Sequence, residues 1–403
     1  MNFLKRGSSR ILIFTGLLIL VFGIVRQLTG ANDITASGAS SATLRLTIPL
    51  LLAGLGGLWS ERSGVINIGL EGMMIAGTWL GAWYGFKYGW AAGFLAAAIG
   101  GALIGFAHAF LTVKVGIDQA VSGLAINLLA AGSARYLAGV FFVPAGGDNN
   151  VSPPVQQPPT LHLSLADTLM QWHGKHILFV SDLAGLAGGL ISSVNIMTLV
   201  LLLALPITSF ILWKTRFGLR MRFCGENPVA AESLGVNVYR TRYISLAVSG
   251  LLASLGGAYL SLVASSVYRE GQTAGRGFIG LATVIFGNWR PGGVFAGSLL
   301  FGFTDALRLR QATSVHAILL VVVIFAVLLA LWFAKQKQMK NFITVGAIGV
   351  SIYVIYALVD AIPDEFVTVF PNVATLLVLT FLSQRLRPPA MAGAPYRKGE
   401  EAH

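Results

Sequence analysis

The sequence predicts an all-α polytopic membrane protein. Of its 403 residues, 55% are hydrophobic and only 11% are charged, whereas a soluble domain carries about 25% charged residues. Apolar runs at residues 11–25 and 317–334 approach or reach the ~18–20 residues with which an α-helix crosses a bilayer. These observations exclude a soluble globular domain and predict a bundle of membrane-spanning helices.

The apolar runs recur along the whole chain, which we interpret as one transmembrane domain over residues 1–403. The N-terminal run is long, and no small-residue cleavage site follows it directly, so we expect a retained helix rather than a signal peptide. Twelve apolar segments are predicted, at residues 10–28, 44–60, 66–86, 89–113, 118–143, 195–213, 243–263, 277–289, 292–309, 316–334, 341–360 and 369–386.

Positive charge gathers in short loops and at segment ends. The net charge is +12, and Lys and Arg are concentrated near the N-terminus, in residues 214–242, in residues 335–340 and in the C-terminal tail. Cytoplasmic loops retain Lys and Arg. The pattern therefore predicts that both termini are cytoplasmic, and it does not indicate a nucleic-acid-binding surface.

The long loop at residues 144–193 falls on the opposite, extracytoplasmic side. It is rich in Pro, Gly and polar residues and is predicted to be a cap or a docking surface. His173 and His176 have a metal-like spacing, but no third ligand follows nearby, so we expect no metal site. Cys224 is the only cysteine, which excludes an internal disulfide.

Two stretches are too short or too polar for ordinary spans. Segment 277–289 is short, and residues 56–72 place Asn67 and Glu71 among several glycines. Interrupted helices at matching positions of two halves, here 44–143 and 243–334, indicate a transport path. Because Asn67 and Glu71 are four residues apart, we expect them to share one helix face turned toward a cavity. Residues 56–72, which contain Glu61 and Arg62, are alternatively a cytoplasmic loop between two spans.

Residues 227–235 predict a short, well-capped helix in the basic loop. Asn227 is a favourable N-cap, Pro228 suits the first helical position, and Gly235 can adopt the left-handed conformation that ends a helix. Such a short helix is unstable in isolation, so the rest of the chain or a partner must hold it. The alternative is an amphipathic helix at the membrane surface.

Several motifs carry a family resemblance. The chain resembles the permease subunits of bacterial ABC importers, in the branch that carries simple sugars, branched-chain amino acids and nucleosides. The tail "RLRPPAMAGAPYRKGE" (385–400) is most similar to a nucleoside-type permease. The other motifs are "SERSGVINIGLEGMMIAGTWLGAW" (60–83), "GLAINLLAAGSARYL" (123–137), "TRFGLRMRFCGENPVAAESLGVNV" (215–238) and "GFIGLATVIFGNWRPGG" (277–293).

The resemblance implies a type II importer-like permease with two pseudo-repeated halves in the bacterial plasma (inner) membrane. It implies three protein partners besides membrane lipid: an ABC ATPase subunit, a second homologous permease subunit and a substrate-binding lipoprotein. In this family the matching short helix is the coupling helix, which sits in a groove of the ATPase. The implied coupling residues are Glu226, Asn227, Pro228, Ala230, Ala231, Glu232, Leu234 and Gly235.

The chain lacks the phosphate-binding motif G-x-x-x-x-G-K-[ST], because its only Gly-Lys pair, Gly174–Lys175, is followed by His176. It therefore lacks the loop that cradles ATP phosphates. We expect no enzymatic activity and no cofactor in this chain, with ATP and Mg bound by the partner ATPase. One departure from the family is an extra apolar hairpin at 316–360, which interrupts a core of 44–311 and 363–387.

Five polar side chains within apolar surroundings are candidates for the substrate path. Amides can hydrogen-bond a nucleoside or a similar small polar solute, but they can equally join helices to one another. An ion-coupled secondary transporter is the alternative, with Glu71 as its titrating carboxylate. A membrane-embedded enzyme is disfavoured by the absence of catalytic motifs. The candidates are Asn67, Glu71, Gln119, Asn127 and Asn288.

Overall fold

The computed structural model describes most of the chain. The described residues are 2–175, 177, 179–192, 194–307, 312–359 and 386–397. His176 and residues 369–385 of the last predicted segment lie outside them.

Helices make up most of the described residues, including a 3-10 helix at Asn32–Ile34. Three α-helices continue into π-helical turns, at Phe110–Val115, Ala138–Phe142 and Leu260–Ala264. Two two-residue strands are β1 (Thr160–Leu161) and β2 (Val194–Asn195). The α-helices are α1 (Asn2–Thr29), α2 (Ser37–Arg62), α3 (Leu70–Tyr88), α4 (Trp90–Ala109), α5 (Gln119–Leu137), α6 (Ser164–His173), α7 (Val180–Ile191), α8 (Ile196–Leu202), α9 (Ala204–Lys214), α10 (Arg216–Glu226), α11 (Pro228–Ser233), α12 (Val238–Tyr259), α13 (Arg276–Phe286), α14 (Pro291–Leu307), α15 (Ala312–Lys335) and α16 (Met339–Leu358).

The prediction of an all-α polytopic membrane protein is confirmed. Within the described residues, seven helices are long and apolar enough to cross a membrane. The two helices of the predicted hairpin, α15 and α16, are among them. Segment 277–289 corresponds to α13, which has only 11 residues and is too short to span a bilayer.

Contacts divide the chain into two compact units. The first comprises residues 1–44, 161–194 and 303–373. Within it, an apolar cluster joins α1 to α15 through Val21, Val25 and Val321. Arg26 of α1 and Asp182 of α7 form an ion pair at 3.1 Å, with side chains only 3% and 0% exposed. Each charge is therefore neutralised by a partner rather than left alone in a buried site.

The second unit comprises residues 45–160, 195–302 and 374–403, and its centre is the packing of α3, α4 and α12. Glycines permit very close helix approach there. A Cβ atom on Gly250 of α12 would lie 2.1 Å from the carbonyl oxygen of Gly101 in α4, a distance that no side chain tolerates. Small residues at helix interfaces are typical of membrane proteins, in which association depends on close packing.

One expectation from the sequence is wrong. Asn67 and Glu71 do not share a helix face, because α2 ends at Arg62, α3 begins at Leu70, and Asn67 lies in the non-helical connection between them. The loop at 144–193 contains α6 and α7, and its role as a cap or a docking surface stays a prediction. Its Pro residues precede these helices, whereas α7 itself contains glycines and is apolar.

Candidate coupling surface and substrate path

Helix α11 has the capping that its sequence predicts. The Asn227 side-chain oxygen accepts a hydrogen bond from the Ala230 backbone N–H at 3.0 Å, and Pro228 occupies the first helical turn. Gly235 ends the helix with φ of +79°, and the Val236 N–H returns to the Ala231 carbonyl at 3.0 Å. The prediction of a short capped helix at this position is confirmed.

The residues of α11 divide into an inner and an outer face. Pro228 and Ala231 are buried, and Ala231 packs with Cys224 and Val238. In contrast, Leu234 is 75% exposed. Leu234 thus presents an apolar side chain at the surface beside the end of α11. Of the sequence-predicted coupling residues, therefore, Pro228 and Ala231 anchor the helix and Leu234 is available at its surface.

A groove of about 460 Å³ lies beside α11. Its apolar lining includes Leu219 and Phe223 of α10 as well as Leu234 and Val236, and its charged lining includes Arg220, Arg222 and Glu226. Leu219 is also well exposed, at 61%. The lining therefore combines apolar side chains with more basic than acidic ones.

Arg62 and Trp289 connect this surface to other elements of the second unit. The Arg62 guanidinium donates two hydrogen bonds to the Trp289 carbonyl, at 3.0 and 2.6 Å from Nε and Nη2. The Trp289 indole N–H in turn donates to the Glu61 carboxylate. Nη1 of Arg62 also lies 3.8 Å from Oε1 of Glu226 in α10, which makes an ion pair. The end of α2, the connection between α13 and α14, and α10 are thus joined by one polar network.

The C-terminal tail, residues 386–397, is the last part of this surface. Its Tyr396 packs in the same apolar cluster as Ala231, and the Tyr396 hydroxyl donates to the Glu232 carboxylate. The Ala390 N–H donates to the Glu226 carboxylate at 3.2 Å. The tail therefore contacts both α10 and α11.

The polar candidates for the substrate path hold non-helical backbone in place. The Asn67 amide donates to Ser249 Oγ at 2.9 Å and accepts from the Gly69 N–H at 3.0 Å. Glu71 accepts from the N–H groups of Gly275 and Gly277, at 3.0 and 2.6 Å. Irregular backbone at membrane depth requires such internal partners.

The other three candidates also bind the chain itself. Gln119 accepts from the Ile66 N–H at 2.7 Å. Asn127 accepts from the Gly72 N–H at 2.7 Å. Asn288, which has φ of +49°, accepts from the Arg387 N–H at 2.8 Å. The structure thus uses all five side chains to connect segments, and a direct contact with solute remains a prediction for each.

Comparison with known proteins identifies the family. The profile of the family described as "Branched-chain amino acid transport system / permease component" matches residues 39–332. The chain belongs to this permease family. Its sequence is similar to the guanosine ABC transporter permease protein NupQ of Bacillus subtilis, with 31% identity over 89% of this chain and 96% of that protein. No solved structure gives a significant match.

Two further relatives are also permeases. The putative glucose ABC transporter permease protein TsgC13 of Haloferax volcanii is 34% identical over 68% of this chain and 78% of that protein. The guanosine ABC transporter permease protein NupP, again of Bacillus subtilis, is 26% identical over 64% of this chain and 71% of that protein. This chain is accordingly the permease subunit of an ABC transporter and a multi-pass membrane protein.

Sequence reasoning missed several residues that shape the permease. Arg62 and Glu61 appear in the sequence as ordinary loop charges, whereas the structure buries Glu61 and bonds both residues to Trp289. Buried Arg242 donates to the Ser63 carbonyl at 3.2 Å. The sequence did offer one signal for these residues, namely charged residues next to apolar segments. A charged side chain that is buried there requires a specific partner.

We expect Asn127→Leu to destabilise this permease. The substitution removes the acceptor for the Gly72 N–H and the donor to the Ile68 carbonyl, at 2.7 and 3.1 Å. Each unpaired buried group costs about 1–3 kcal/mol. Thermal unfolding in detergent checks this, with Ala125→Leu as the control, since Ala125 lies exposed on the same helix. An unfolding temperature equal to that of the control would contradict a structural role for Asn127.

Proposed function

We propose that this permease forms one half of the path by which an ATP-driven importer takes up a nucleoside or a similar small polar solute. The observation that carries the proposal is the similarity to NupQ, a guanosine ABC transporter permease, over 89% of this chain. The glucose transporter relative makes a simple sugar the second candidate solute. Both solutes are neutral and rich in hydrogen-bonding groups.

Helix α11 is the proposed coupling helix, which sits in a groove of a separate ATPase subunit that binds ATP and Mg. The capped helix with Leu234 75% exposed supports this assignment. Because Pro228 and Ala231 are buried against the permease, a movement of α11 is transmitted to the helices behind it. Contacts to the ATPase come from the exposed side, where Asn227, Leu234 and Gly235 lie.

The second permease subunit is proposed to be a homologue rather than an identical copy. Bacillus subtilis supplies two different guanosine permeases among the relatives, NupQ and NupP, at 31% and 26% identity. Two matching permeases with the same named solute support a heteromeric pair. A substrate-binding lipoprotein completes the proposed importer, which lies in the bacterial plasma membrane with both termini of this chain cytoplasmic. Arg216, Arg220 and Arg222 of α10 support that orientation, because cytoplasmic segments retain Lys and Arg.

Reconstitution into liposomes tests this function. The permease is incorporated with a homologous second permease and an ABC ATPase subunit, and the substrate-binding lipoprotein is added outside. We expect uptake of radiolabelled guanosine that requires both ATP and the lipoprotein, with glucose and ribose as competitors. Uptake by this permease alone, driven by a proton gradient, would contradict the proposal and would support the ion-coupled alternative.

A further inference from the structure

The C-terminal tail is attached to three separate parts of the coupling surface. The Met391 N–H donates to the Gly225 carbonyl of α10 at 2.9 Å. The Gly393 N–H donates to the Gly64 carbonyl, beyond the end of α2, at 3.2 Å. The Arg387 N–H donates to the Asn288 side chain at 2.8 Å. A segment without helix or strand thus bridges elements that are distant in sequence.

Tyr396 joins the tail to α11 itself. Its side chain is only 8% exposed and packs with Cys224, Ala231 and Val238. The hydroxyl donates to the Glu232 carboxylate, and the Arg242 guanidinium lies 5.5 Å from the ring centroid. Burial and the hydrogen bond to Glu232 raise the pKa of Tyr396 above its usual value, so the hydroxyl keeps the proton that it donates.

A six-residue helix needs this support. Helix α11 spans Pro228–Ser233, far fewer than the ~12–15 residues at which an isolated helix becomes even marginally stable. Asn227 caps its first turn, while Tyr396 contacts Glu232 and Ala231 near its other end. A force applied at Leu234 would unwind an unsupported last turn instead of moving the helix.

We propose that residues 386–397 form a permanent strap across the coupling surface and that Tyr396 is a positioning residue, which holds α11 rigid by bonding Glu232 and filling the cluster around Ala231. This inference rests on the proposed coupling function of α11. The strap is part of the moving unit and is not released during transport, because its backbone hydrogen bonds fix it to α10 and to the end of α2 as well.

The reactivity of Cys224, the single native cysteine, measures how firmly the strap is held in place. Cys224 is fully buried beneath Tyr396 and Ala231, and burial raises the pKa of its thiol. Its reaction with a maleimide therefore requires local opening of the cluster, and the rate measures how often that opening occurs. The measurement needs only the purified permease, without the ATPase or a solute.

Two substitutions of Tyr396 distinguish the contribution of its hydroxyl from that of its aromatic ring. We expect Tyr396→Phe to speed maleimide labelling of Cys224 about tenfold, since a hydrogen bond to a charged group is lost while the ring is retained. Tyr396→Ala should speed it further, because the cluster also loses its aromatic filling. Tyr353→Phe is the matched control, since Tyr353 is 52% exposed on α16, and should leave the rate unchanged. Labelling of Tyr396→Ala at the control rate would overturn the strap.

Transport by the assembled importer tests the positioning role. We expect Tyr396→Phe to assemble with the ATPase normally but to hydrolyse several times more ATP for each solute molecule imported. Maleimide labelling of Cys224 in the assembled importer should proceed at the same rate during ATP hydrolysis as at rest, because the strap stays closed. An unchanged ratio of ATP to solute in Tyr396→Phe, or labelling of Cys224 that accelerates during ATP hydrolysis, would overturn the proposal. Failure of the coupling function itself would instead appear as normal ATPase binding by Leu234→Asp.

Discussion

Leu234→Asp should abolish productive binding of the ATPase subunit while leaving the permease folded. Leu234 is 75% exposed, so its replacement by a polar residue removes little from the permease's own core. In the proposed complex the same side chain is buried in the ATPase groove. Full burial of a leucine contributes about 1.5–3 kcal/mol, and placing an aspartate there adds the cost of desolvating an unpaired charge.

The expected loss of affinity is therefore about 100-fold or more, because each 1.4 kcal/mol corresponds to a factor of ten. Co-purification of the ATPase with the tagged permease measures the binding, and ATP-dependent uptake measures the function. Leu163→Asp is the matched control, since Leu163 is 51% exposed in the loop expected on the opposite side of the membrane. Equal ATPase recovery with both variants would contradict the proposed docking site.

Glu71→Ala is expected to cause the largest loss of stability. The Glu71 side chain is buried, at 7% exposure, and its two carboxylate oxygens accept from the N–H groups of Gly275 and Gly277. These donors belong to the N-terminus of α13, where a negative charge is favoured by the helix dipole. Removing the carboxylate leaves both donors unpaired, at a cost of about 1–3 kcal/mol each.

We expect Glu71→Ala to reduce the yield of folded permease and to lower its unfolding temperature in detergent. Glu71→Gln retains one acceptor oxygen and should give an intermediate effect. The pair of variants also addresses the ion-coupled alternative, in which Glu71 must titrate during transport. ATP-driven uptake by the folded fraction of Glu71→Gln supports a structural carboxylate. Normal stability with complete loss of uptake would instead favour a coupling carboxylate.

The elements predicted from the sequence are those with strong local signals. The helix at 228–233 follows from its cap, its proline and its terminal glycine, and the structure agrees at each of these positions. Most of the long apolar segments are helices, as predicted. The length of an apolar segment is enough to predict a membrane-spanning helix. The shortness of α13 likewise follows from the short apolar segment at 277–289.

The expectation that failed depends on contacts between distant residues. Spacing alone placed Asn67 and Glu71 on one helix face, but Asn67 bonds Ser249 and Gly69 in an irregular connection. Nothing local to "GAPYR" indicates that Tyr396 reaches Glu232, because that pairing is set by the packing of α10, α11 and α12. The amides were candidate solute ligands by composition, and their backbone partners became visible only in three dimensions.

The central claim is that α11 receives the movement of a separate motor protein. A photo-crosslinking amino acid, benzoylphenylalanine, placed at position 234 of the permease in native membranes tests it most directly, with position 163 as the control. The account predicts an ATP-sensitive adduct with the ATPase subunit from position 234 and none from position 163. Adducts from position 234 with lipid alone, in membranes where the ATPase is present and active, would contradict it.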